Sequence, residues 1–183
     1  IEQGTEEWHA LRCGKITASN FSRVKAGGKG LTRASYMYEL CAEQLSGQQE
    51  SGYTNSYMEH GNNTEEQARN MYEFEKGADS ELITFVDSEP MIGCSPDFFV
   101  GDDGMGEIKC PKSSTQIKTF ISDKIPAEHK PQIQGQLWVC QREWCDFISF
   151  DPRLSGKASL FIVRAYRDDK YIEELAEHVY KFR

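Results

Sequence analysis

Along the chain, stretches whose apolar residues recur at helical spacing give way to short apolar runs cut by glycine, proline and aspartate. Trp8 to Val24 reads as a helix-rich opening, with Thr17 as N-cap of a short helix through Phe21 and Val24. Lys25 to Gly30 is a basic, glycine-rich loop. Arg33 to Ser46 is predicted helical on a stripe of Tyr36, Leu40, Ala42 and Leu45, and Gln48 to Asn55 is a polar linker. Ser56 to Glu75 is the next long helix, with Tyr57, Gly61, Ala68 and Tyr72 as its buried stripe. Three strands follow, Leu82 to Asp87, Pro90 to Val100 and Gly104 to Cys110. Helices are predicted over Thr115 to Ser122 and from Pro131 to Gln141, the second with Ile133, Leu137 and Cys140 inward and Gln132 and Gln136 on a neighbouring face open to a substrate. Glu143 to Phe150 and Ala158 to Tyr166 read as strands, and an amphipathic helix over Asp168 to Phe182 closes the chain. This order predicts an α/β fold with a central mixed β-sheet flanked by helices.

The chemistry sits in the strand cluster. Asp97 precedes Phe98-Phe99-Val100, a turn of Gly101-Asp102-Asp103-Gly104, and a returning strand with Glu107-Ile108-Lys109. A hairpin of that length brings Asp97 alongside Glu107, and the strand period of two puts Glu107 and Lys109 on one face. Charges on the wet face of a hairpin would give the same spacing. Against that reading, both carboxylates stand among Met91, Ile92, Phe98, Phe99, Val100 and Ile108, a setting costly for a charge that is not paired or metal-bound. Two carboxylates and an amine so placed suit a divalent metal held against a phosphodiester. Glu65 falls on the inward stripe of its helix, either pairing with Arg69 one turn on or serving as a further ligand.

At 183 residues, 38% hydrophobic and 27% charged, the chain suits one domain over 1–183. No apolar run approaches the roughly 20 residues of a membrane span. Ile1 is not a natural start, so the first residues of the full protein are expected to be missing. The six cysteines show no C-x-x-C pair and read as reduced, mostly buried thiols of a cytoplasmic protein. The formal charge of -8 argues against nucleic acid as a partner unless positive charge is concentrated locally. Basic residues cluster from Arg12 to Lys29, from Lys109 to Lys112 and from Lys124 to Lys130.

Pro96-Asp97 with Glu107-x-Lys109 resembles the PD-(D/E)xK nuclease core. Further segments in family order make the resemblance closer: Trp8-His9-Ala10-Leu11-Arg12, Gly14-x-Ile16-Thr17-Ala18-Ser19, Gly61-x3-Glu65-x2-Ala68-Arg69, Cys94-Ser95-Pro96-Asp97, Gln132-x-Gln134, Trp138-Val139 and Asp151-Pro152-Arg153. Together they are similar to the lambda-exonuclease-like family of phage recombination nucleases. The resemblance implies a restriction-endonuclease-like core in which Asp97, Glu107, the Ile108 carbonyl and Glu65 ligate Mg²⁺, for which Mn²⁺ can substitute. It implies Lys109 as the catalytic lysine and Gln132 as the residue orienting the attacking water or the scissile phosphate. Arg12, Ser19 and Ser95 match positions that hold a terminal 5′-phosphate, Met58 an apolar wedge, and Lys29 a basic residue trailing in the duplex groove.

The implied activity is 5′-to-3′ degradation of one strand of duplex DNA from its ends, by a homotrimeric ring that leaves 3′ single strands for an annealing protein. A positive channel inside an acidic exterior would reconcile that activity with the net charge. Two other readings are another PD-(D/E)xK enzyme, endonuclease or RecB-like, and a non-catalytic DNA-binding remnant of the fold.

Overall fold

The computed structural model describes residues 3–26, 31–49 and 56–183, and side chains within these except at 31 and 56–63. Lys29 and the Met58 side chain therefore lie outside the described residues. The elements in order are α1 (Glu6–Arg12), β1 (Ile16–Thr17), α2 (Phe21–Lys25), α3 (Leu31–Ser46), α4 (Ser56–Lys76), β2 (Glu81–Leu82), β3 (Val86–Glu89), β4 (Ile92–Cys94), β5 (Phe98–Val100), β6 (Gly104–Lys109), α5 (Ser113–Ser122), α6 (Lys130–Cys140), β7 (Trp144–Phe150), β8 (Leu160–Tyr166) and α7 (Asp169–Phe182).

The central sheet is mixed and five-stranded, in the order β2-β5-β6-β7-β8. Within this sheet, β6 and β7 pair in parallel and the other described pairs are antiparallel, and the long connection through α5 and α6 supplies the crossover that a parallel pair needs. Helix α4 covers one face, packing Ala68 and Tyr72 against Phe98, Ile108 and Ile148. Helix α6 covers the other, packing Ile133 and Leu137 against Met105, Cys145 and Phe147. The expected mixed sheet flanked by helices is what the chain forms.

A second sheet, three-stranded in the order β1-β4-β3, was not expected. The predicted single strand from Pro90 to Val100 is split: β4 ends at Cys94 and joins the small sheet, and β5 begins at Phe98 and joins the large one. Pro96 lies in the break and has no amide hydrogen to give a ladder. The predicted strand over Leu82 to Asp87 is divided in the same way between β2 and β3. Two-residue β1 hides inside the predicted helical opening, and Thr17 leads the turn after it without a side-chain capping bond; its hydroxyl meets Ser19 and Asn20 instead.

The stripe on α3 is Tyr36, Leu40 and Glu43 rather than Tyr36, Leu40, Ala42 and Leu45; Leu45 is 90% exposed. Buried Glu43 is held because Oε2 accepts the Gly14 amide at 2.8 Å, satisfying the end of the turn after α1. Of the cysteines, Cys94 and Cys145 are buried and Cys41 is exposed, and all are free thiols. No helix among the described residues is long and apolar enough to cross a membrane.

Candidate active site

The β5–β6 hairpin pairs Phe98 with Gly106, a register that carries Asp97 opposite Glu107. A Cβ on Gly106 would stand 2.1 Å from the Phe98 ring, so the hairpin closes tightly only because residue 106 has no side chain. Met105 packs toward α6, and the period of two aims Glu107 and Lys109 the same way.

Glu107 is the centre of the cluster, only 2% exposed. Its Oε1 accepts Lys109 Nζ at 2.5 Å and Gln132 Nε2 at 2.6 Å, and its Oε2 accepts Gln136 Nε2 at 2.7 Å. Gln136 is thus buried against the carboxylate and not on an open face as expected. Asp97 Oδ2 accepts the Ile108 amide at 2.5 Å. Burial first, then the charges of Glu107 and Glu65, push the Asp97 carboxyl well above its usual range. Glu65, reaching in from α4, is likewise pushed up by burial, against a downward pull from Lys109. The pairing of Glu65 with Arg69 is replaced by one between Arg69 and Glu73, at 3.8 Å. Burial alone would draw the Lys109 ammonium down, but Glu107, Asp97 and Glu65 outweigh it and its pKa rises. Lys109 is therefore an ammonium in this arrangement.

The charges of Asp97, Glu107 and Glu65 act on one another; brought onto one ion, they would offer the oxygen ligands that Mg²⁺ takes, and a divalent cation would relieve their mutual repulsion. Among the described residues, no three acidic, histidine or cysteine side chains already stand as a metal cage. Glu107 and Asp97 are engaged by protein donors instead.

A second cluster is built from the segment that crosses between the sheets. Ser95 Oγ accepts Arg12 Nη1 at 3.1 Å and the Trp8 indole N–H at 3.1 Å. The Arg12 guanidinium lies 4.2 Å over the Trp8 ring, and its Nε is buried without a partner. Burial pulls the Arg12 pKa down, which marks a cation held away from water. Ser19 is exposed and meets Thr17, so no hydrogen bond among the described residues joins it to Arg12 or Ser95. The break at Pro96 hands Ser95 to the Arg12 cluster and Asp97 to the Glu107 cluster.

Sequence reasoning gave no part to Trp8 as an anchor, to Gln136 as a partner of Glu107, or to His129. The His129 ring stacks on Phe147 with centroids 5.2 Å apart, and burial followed by the Lys109 charge lowers its pKa. The spacing of Gln132 and Gln136, one helical turn apart, was a signal that both reach the same carboxylate. Nothing in the sequence marks His129. Next to Lys109, burial raises the Cys110 thiol to about 12, so it is no nucleophile at neutral pH.

A family model described as a YqaJ-like viral recombinase domain matches residues 7–143. The alkaline exonuclease LHK-Exo from Laribacter hongkongensis has 39% sequence identity and a TM-score of 0.90, over 97% of this chain and 90% of that one. Its complex with dAMP superposes with a TM-score of 0.92 at the same identity and coverage. A phage-related exonuclease from Haemophilus somnus 129PT shares the fold at 19% identity and a TM-score of 0.70, over 95% of this chain and 94% of that one. A comparison with curated protein sequences finds no match. With its carboxylate–lysine hairpin, its mixed sheet and a family match over most of its length, the chain belongs to the YqaJ-like viral recombinase domains, within the lambda-exonuclease-like nucleases.

Proposed function

We propose that the protein is a Mg²⁺-dependent exonuclease that degrades one strand of double-stranded DNA in the 5′-to-3′ direction from 5′-phosphorylated ends, leaving 3′ single strands for recombination by annealing. The observation that carries the reading is the convergence of Glu65, Asp97 and Lys109 on buried Glu107. Membership in a recombinase family of exonucleases supports the same class of reaction. The relative's complex with dAMP, a deoxynucleoside monophosphate, supports release of such units here as well.

Asp97, Glu107 and the Ile108 carbonyl would hold the ion, with Glu65 as a further ligand. When bound, Mg²⁺ (or Mn²⁺) supplies Lewis-acid stabilisation of phosphate oxygens and a more acidic water. Lys109, held against Glu107 Oε1, stabilises charge developing on the phosphate or orients the attacking water. Gln132, partly exposed at the start of α6, turns its amide toward Glu107 and orients the water or the scissile phosphate. Arg12, oriented by the Ser95 hydroxyl through Nη1 and by the Trp8 ring beneath it, grips the terminal 5′-phosphate with its guanidinium. Ser95 and Ser19 complete that pocket. Lys29 and Met58 keep their proposed roles in the groove and as the wedge.

The test is digestion of linear duplex labelled on either strand, with 5′-phosphate or 5′-hydroxyl ends, beside closed circular DNA. Loss of the 5′-phosphorylated strand in Mg²⁺ but not in chelator, with circles spared, is the expected outcome. Circles cut as fast as linear DNA would overturn the exonuclease reading. Lys109→Ala is expected to abolish cleavage while DNA binding stays measurable, and unchanged cleavage would remove Lys109 from catalysis.

A further inference from the structure

We propose that Gln136 is a positioning residue for the Glu107 carboxylate: it fixes the inner oxygen, so that the outer one can exchange its partners during the reaction. The inference rests on the proposed metal-dependent cleavage and names a determinant of that site. Gln132 and Gln136 are one turn apart on α6 and divide the carboxylate between them. Gln132 Nε2 meets Oε1, the oxygen that Lys109 also holds, and Gln136 Nε2 meets Oε2 alone. The two glutamines differ in access. Gln132 is partly exposed, whereas Gln136 is 1% exposed. Oε1 therefore belongs to groups that substrate can reach, and Oε2 to one that it cannot.

The second observation is the other end of the same amide. Gln136 Oε1 is buried with no hydrogen-bond partner. Turning the amide over would aim that oxygen at the Glu107 carboxylate, oxygen against oxygen, so the orientation follows from the one bond the side chain makes. A buried amide carbonyl left unpaired costs stability, and such groups in native proteins call for an explanation. An apolar side chain in this core position would avoid the cost. What it would forfeit is the hold on Oε2. Partners of metal-ligating carboxylates orient their ligand, and losing one weakens metal affinity or activity on the order of 10–100-fold.

The experiment compares the full chain with Gln136→Met, which matches the length of the side chain and removes both polar atoms. Melting temperature is followed in chelator and across a Mg²⁺ titration, and single-strand loss from 5′-phosphorylated duplex is measured alongside. The expected result is a variant that folds but melts below wild type in chelator, because buried Oε2 loses its donor, needs at least about tenfold more Mg²⁺ for its thermal shift, and loses kcat with KM for DNA ends unchanged. Gln136→Asn keeps the amide but withdraws it by one methylene, so it is expected to show the same loss of Mg²⁺ affinity should the methionine variant not fold. Wild-type Mg²⁺ affinity and kcat in either folded variant overturn the inference, while the proposed function stands on the wild-type result. A loss of kcat with Mg²⁺ affinity left at the wild-type value overturns it too, because it indicates packing. A wild-type chain that neither responds to Mg²⁺ nor cleaves DNA overturns the proposed function and, with it, this inference.

Discussion

At the scale of single residues, the carboxylates of the candidate site are held at the expense of stability. Asp97 and Glu65 both have pKa values raised in the folded chain, by burial and by neighbouring negative charge. A carboxyl raised on folding stabilises the native state fully below its unfolded pKa, and that stability is lost as pH rises through the folded value. What these two carboxyls contribute to the stability of the metal-free protein is therefore expected to fall as pH rises above about 4, and added Mg²⁺ should raise the melting temperature more at pH 8 than at pH 5. Thermal melts with and without chelator check this, and a pH-independent Mg²⁺ effect would contradict it. By the same logic, Asp97→Asn should abolish cleavage yet raise the melting temperature in chelator at pH 8. Arg12→Ala should narrow the preference for 5′-phosphate over 5′-hydroxyl ends, measured as the ratio of initial rates. An unchanged ratio would take Arg12 out of the end-binding pocket.

At the scale of elements, helix α6 decides whether the site forms. It carries Gln132 and Gln136 against the large sheet and also packs on the small one, so both sheets are registered through it. Gly135 in its middle lowers intrinsic helix propensity by about 1 kcal/mol relative to alanine. A Cβ there would lie 2.3 Å from Phe21, on α2, so the glycine is what lets the helix approach. Gly135→Ala is expected to destabilise the protein by about 1–3 kcal/mol despite the better helix former, read from the midpoint of urea unfolding. A more stable variant would show that Phe21 can move aside. Helix boundaries were legible from periodicity and, at Pro131, from a proline that starts a helix, as α4, α6 and α7 show. Strand membership was not. Pro90 to Val100 reads as one apolar run, and only Pro96 hinted at a break; which sheet each half joins depends on partners distant in sequence.

At the scale of the whole molecule, the charge of -8 still opposes a DNA substrate unless the basic residues gather on one surface. We propose a homotrimeric ring with a positive channel, as the family resemblance implies, with a single-strand annealing protein as its partner. Native mass spectrometry with and without DNA is the direct check: a mass of three chains supports the ring, and a monomer at working concentration rules it out.

By itself the sequence determined the α/β class, the hairpin, the inward Glu65 and the pairing of Asp97 with Glu107-x-Lys109, because alternation, turn residues and short spacings are local properties of the chain. Tertiary structure alone decided that one strand becomes two in separate sheets, and which oxygen of the Glu107 carboxylate each of Gln132 and Gln136 meets. The physical reason is the same in each case. Burial and hydrogen-bond partnership are set by groups far away along the chain, and a period reveals only which side a residue faces, not what waits there.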